Sequence, residues 1–150
     1  MIPSIEKFVS SWSRPSALLA VNLLFAIVWG FASLSKMIGG RPEWFEGKFG
    51  STILGQFPGV AASFWLLTAA ETLAFLLTLS ALLRVEFLPR RQPTCLTAAL
   101  VWSLFVFVML GFGQWLTGDF NSGFQLFTYF GVTLVAVHYA QSKSGDRPSV

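Results

Sequence analysis

VAASFWLLTAAETLAFLLTLSALL, residues 60–83, is the stretch that decides the fold. It carries one charge, Glu71, among side chains that are otherwise apolar, small or hydroxylated. A helix rises 1.5 Å per residue, so roughly 20 such residues cross the hydrocarbon core of a bilayer. The run therefore predicts a transmembrane helix with a carboxyl near its middle. An ionisable group at that depth costs about 2.5–3.5 kcal/mol or more, so it turns toward a protein interior and marks a candidate functional site.

Three further runs of similar length are almost free of charge, and the four spans are expected at about 16–38, 59–83, 95–116 and 122–140. Over the 150 residues, 54% are hydrophobic and 11% charged, and the mean hydropathy is +0.65. Those values belong to membrane proteins, and the short connections leave no room for a soluble domain. The expectation is an all-α membrane protein: four transmembrane helices in an antiparallel bundle, with 1–150 as a single transmembrane domain. Barrel strands would alternate polar and apolar over about ten residues, which these runs do not do. The first run is too long for the apolar core of a cleaved signal peptide and is read as a retained helix.

Basic residues give the orientation, because Lys and Arg flanking the spans stay on the cytoplasmic side. Lys7, Arg14, Arg84, Arg90, Arg91, Lys143 and Arg147 fall on one side, and Lys36, Arg41 and Lys48 on the other. A multi-pass protein of the cell inner membrane with both termini cytoplasmic is expected. The net charge of +3 then serves topology and contact with anionic lipid, not nucleic acid.

Single copies exclude several chemistries. One cysteine, Cys95, permits neither an internal disulfide nor dithiol exchange, and one histidine, His138, supplies neither bis-histidine haem ligation nor a usual zinc site. Gly39-Gly40 lacks the lysine and hydroxyl of a phosphate loop. No catalytic residue, metal site or intrinsic cofactor is expected, and redox chemistry would draw on a partner's cofactor.

Between the spans, Met1 to Pro15 reads as an amphipathic lead-in lying along the interface, with Ile5, Phe8, Val9 and Trp12 at helical spacing. The first connection, 37–58, holds Trp44, Phe45, Phe49 and Phe57 among several glycines and prolines. Aromatics at that density gain free energy only by leaving water, so an interfacial or re-entrant segment capping the outer side is expected. The second connection is a polar turn in which Pro89 and Pro93 precede the third helix. In the third, Asp119, Asn121 or Ser122 caps the last helix.

On the Glu71 helix, Thr68, Ala74, Thr78 and Ala81 share the glutamate's stripe, whereas Leu66, Leu73 and Leu77 lie elsewhere. Small and hydroxylated faces are what helices use to pack in membranes, so Glu71 faces the bundle. Measured by depth, Glu71 lies about 18 Å from the outer end of its helix and Lys36 only about 5 Å from the end of its own. The long side chains shorten that gap, but direct pairing needs a late start to the second helix or an inward-dipping first loop. Otherwise Tyr129, Thr128 and Thr133 are the nearest hydroxyls by depth, and the carboxyl would be neutral. Glu71 is thus open to three roles: hydrogen-bonded lock of the bundle, protonatable or head-group-binding site, or contact for a partner's helix. Gln114 and Asp119 are either turn residues or an outer-face site with Lys36. His138 sits near the headgroups at the inner end of its helix. The many phenylalanines of the second half suit lipid contact, a quinone pocket or docking against another subunit.

Gly30 and Lys36 at the outer end of the first span, the aromatic loop, mid-membrane Glu71, and Gln114, Gly118 and Asp119 before the last span together resemble the DoxX-like family of small four-helix membrane proteins. The likeness runs along nearly the whole chain. It implies roles like those of the small subunit of archaeal thiosulfate:quinone oxidoreductase, of a methylamine-utilisation membrane protein, or of an animal chaperone of acetylcholine receptors. The expectation is an accessory or assembly subunit of a larger membrane complex, partnered by membrane lipids and by another membrane protein or a second copy. The alternative is a quinone-linked subunit with Glu71, Gln114 and Tyr129 at the quinone. A third is a small ion or metabolite transporter with Glu71 as the coupling carboxylate.

Overall fold

Four long apolar helices occur where the hydropathy runs predict them, and two short helices fill the first connection. In this computed structural model the described residues are 3–41, 43–88 and 91–142, with side chains from Trp12 onward. The side chains of Ile5, Lys7, Phe8 and Val9, and all of Pro42, Pro89, Arg90, Lys143 and Arg147, lie outside the described residues. The elements are α1 (Pro3–Gly39), α2 (Glu43–Phe49), α3 (Ile53–Gln56), α4 (Val60–Leu83), α5 (Thr94–Leu116) and α6 (Phe120–Gln141). Trp12–Gly39, α4, α5 and α6 are each long and apolar enough to cross a membrane, which makes this a multi-pass membrane protein. Among the described residues there is no strand.

The lead-in is helical and continuous with the first span, as the first part of α1. The helix passes through Pro15 without ending. Proline there removes one backbone donor, so the carbonyl four residues earlier loses its helical partner, yet the flanking turns carry the helix on.

Helices adjacent in the chain are adjacent in space: α1 packs on α4, α4 on α5 and α5 on α6. Lipid is as apolar as leucine, so these contacts rest on close fit and hydrogen bonds. The predicted stripe of α4 is the buried one, with Thr68, Glu71, Ala74, Thr78 and Ala81 all inside and Leu66 and Leu73 outside. At Gly30 of α1 the Phe75 ring comes so near that an added Cβ would meet Cε2 at 3.0 Å. Two tryptophans bolt the middle layer. Trp29 Nε1 donates to Ser103 Oγ at 2.8 Å, and Trp102 Nε1 donates at 2.8 Å to the carbonyl of Ala70, whose second lone pair is free for it.

Both tight connections are capped by carboxylates. After α4, Val85 takes a positive φ of 54° and the amide of Glu86 donates to the Ala81 carbonyl at 3.1 Å, a left-handed helix ending. That turn swings the buried Glu86 across to α5, where its two oxygens accept from the amides of Cys95 and Leu96 at 3.0 Å each. Asp119 caps α6, accepting from the Ser122 amide at 3.1 Å and its hydroxyl at 2.8 Å.

Candidate functional site

Glu71 does face the bundle, only 1% exposed, and Lys36 reaches it. The Lys36 ammonium donates to both carboxylate oxygens, at 2.9 and 2.8 Å, and to the Ala32 carbonyl at 3.4 Å. This corrects the expectation that hydroxyls of the fourth helix hold the glutamate. The depth gap closes for two reasons. Side chains of a helix lean toward its N-terminus, so Lys36 on α1 leans away from the end that carries α2 and α3, and Glu71 on the antiparallel α4 leans toward it. In addition, α4 starts eleven residues before Glu71 while α1 ends three after Lys36. The difference of eight residues, about 12 Å along the helices, is taken up by those leaning side chains and by an offset between the end of α1 and the start of α4. Thr128 and Thr133 instead donate back to Phe124 and Tyr129 carbonyls of their own helix, and Tyr129 is exposed, its ring against Phe107.

The start of α4 is covered by the aromatic connection. Short helix α2 buries Phe45 and Phe49, two residues one turn apart, against Val60 and Phe64 of α4. Phe49 also lies along Gly113 of α5, where an added Cβ would stand 3.5 Å from its ring. Thr52 caps α3 by accepting from the Leu54 amide at 3.2 Å. The connection is thus a folded lid over the end of the bundle where α4 begins.

Beneath the lid lies a cavity of about 630 Å³. Trp44, Phe45, Phe49, Phe64 and Phe112 give it aromatic walls, and Leu66, Leu67, Met109 and Leu110 extend them toward the membrane interior. Its polar side chains are few: Ser35 and Lys36 deeper in the bundle, Lys48 and Gln114 at the rim, and Ser63, whose buried hydroxyl has no partner among the described residues. A mostly apolar chamber with a few placed polar groups is the usual form of a small-molecule site.

At the rim, Lys48 donates to Gln114 Oε1 at 2.8 Å and stands 3.7 Å from Asp119 Oδ2. The expected trio of Lys36, Gln114 and Asp119 is therefore corrected to Lys48, Gln114 and Asp119, because Lys36 is turned inward to Glu71. Bonds from the Ser122 hydroxyl and amide, with a smaller contribution from Lys48, hold the Asp119 carboxyl below its ordinary range. The structure thus groups Gln114 and Asp119 at the rim and Lys36 with Glu71 below, and leaves Tyr129 outside both. His138, at the inner end of α6, has an exposed side chain.

Sequence reasoning missed Lys48 and Glu86. The signal for Lys48 was present in EWFEGKF, where Phe45 and Phe49 lie one turn apart and Lys48 comes one residue before the second. Among the described residues no group of three or more His, Cys, Asp or Glu side chains is placed to hold a metal. No family model, curated protein or solved structure matches this chain.

Proposed function

We propose that this chain is a non-catalytic membrane subunit of a larger redox complex and that the chamber under the lid holds the head of a quinone-class molecule. The chamber carries this reading: aromatic walls suit a planar ring, and the polar groups lie where ring oxygens need donors. The three Lys36 protons are already directed at Glu71 and Ala32. Donors to a ligand would therefore come from Lys48, the Gln114 amide and the Ser63 hydroxyl. Electrons would come from a partner's cofactor. Within this reading the chain is of DoxX-like type and lies in the inner membrane, with both termini cytoplasmic and the lid on the outer face.

A second reading, a purely accessory or assembly subunit, draws on α6. Only 17% of its spanning window is buried, against 33% for each of the other three. Phe124, Phe127, Val132 and Val135 project from the bundle, a face suited to a partner's helix. The transporter reading has less support, since the Glu71 carboxylate already holds an ammonium.

Purification of the full chain from its own membrane in mild detergent tests both readings. Identification of co-migrating proteins and extraction of bound quinone are the two readouts. A partner protein with about one quinone per chain, lost in Lys48→Met and Gln114→Leu, supports the first reading. A partner without quinone leaves the second, and a homo-oligomer with neither defeats both.

A further inference from the structure

The inner end of the bundle holds a second cavity, of about 690 Å³, between the start of α5 and the end of α6. Arg14 and Arg91 line it, 77 positions apart in the sequence, together with Thr94 and Thr97 and an apolar side of Ala98 and Val101. We infer that this cleft is a binding site for the phosphate of an anionic phospholipid, with an acyl chain lying along Ala98 and Val101. The inference is independent of the quinone reading.

Three observations carry it. First, the cations are uncompensated: among the described residues neither Arg14 nor Arg91 forms an ion pair, whereas Lys36, Arg41 and Lys48 at the other end all do. Second, Arg14 is fixed in place. Its Nη2 donates to the carbonyls of Ser142 at 2.5 Å and Ala140 at 3.4 Å, which holds the guanidinium at the end of α6. Third, the hydroxyls are unused. The described chain has nine threonines, and seven of them donate to backbone carbonyls of their own segment. The two that do not are Thr94 and Thr97.

The nearby carboxylate does not compete. Both oxygens of Glu86 accept amides of the first turn of α5, so the helix end is already capped and the site is made of side chains. Arginine forks and hydroxyls are the donors that suit phosphate oxygens, and a basic pocket between helices at a membrane surface takes lipid head groups. The apolar side of the cleft distinguishes a lipid from a soluble phosphate.

Native mass spectrometry of the full chain, loaded with phosphatidylglycerol or phosphatidylcholine, tests the site. Retention of phosphatidylglycerol should exceed that of phosphatidylcholine, and Arg91→Gln should reduce the preference about fivefold. Thr97→Val should reduce it by a smaller factor. Arg84→Gln, at the same end but not lining the cleft, should leave it unchanged. Arg91 makes no side-chain hydrogen bond or ion pair to a described residue, so its variant should fold, and a thermal melt checks that. Equal retention of the two lipids would overturn the inference. So would an Arg84→Gln loss as large as that of Arg91→Gln, which indicates general surface charge. Displacement of phosphatidylglycerol by millimolar inorganic phosphate would overturn the lipid as occupant.

Discussion

Among the described residues Lys36 and Glu71 form the one ion pair inside the spans, and their value is asymmetric. Two charges removed from water pay a large desolvation cost that mutual attraction repays only with good geometry. Deleting one partner leaves the other buried and alone. Lys36→Met should therefore destabilise the protein by about 3–5 kcal/mol, while Lys36→Met with Glu71→Leu should recover most of that loss. Denaturant unfolding in detergent measures the cycle, and equal losses in the single and double variants would contradict an ion-paired role. Asp119 gives a pH test of opposite location. Its folded pKa is depressed, so its stabilisation is full above the ordinary value of 3.8 and disappears as pH falls through the lower folded value. Asp119→Asn should remove that acid-side decline in thermal stability, and a wild-type-like decline in the variant would exclude Asp119 as its source.

The helices themselves were legible from charge-free runs, because a bilayer penalises any other backbone arrangement. Element ends were less so. Serine, threonine, aspartate and asparagine signal caps when they immediately precede a helix, as Asp119 does. Glu86 caps α5 from eight residues before its start, across a turn whose left-handed residue is valine where glycine is the usual sign. Neither residue advertises the role in sequence. Glu86→Ala should leave two amides of α5 unsatisfied and cost about 1.5–3 kcal/mol, the range for hydrogen bonds to a charged group. The melting temperature reports it, and a change within error would mean that water replaces the cap. The Lys36 to Glu71 contact stayed open for a related reason: depth counted along each helix carries neither the lean of side chains nor the offset of helix ends.

At the scale of the whole molecule, three spans share their surfaces and the fourth keeps most of its own outward. Phe124 and Phe127 are 67% and 71% exposed, so they contribute little to the fold of the isolated chain. Replacing both by alanine should leave thermal stability within about 0.5 kcal/mol. If α6 docks a partner, the same variant should lose at least tenfold in co-purified partner, as expected when anchoring aromatics are truncated. Undiminished recovery of the partner would assign this face to lipid. Such a face is invisible to hydropathy, since lipid-facing and partner-facing phenylalanines have the same composition.

The order of packing also follows the order of synthesis. Each spanning helix meets the one made just before it, α4 on α1, α5 on α4 and α6 on α5. A ribosome adds about 5–20 residues each second, far slower than helices associate, so each new span leaves the insertion machinery beside a finished neighbour. Glu71 enters the membrane after Lys36 is already there, so the carboxyl finds its partner in place. The contacts of Trp29 of α1 with Ser103 of α5 and of Arg14 of α1 with Ala140 and Ser142 at the end of α6 skip a neighbour, and each closes only once the later helix is in place.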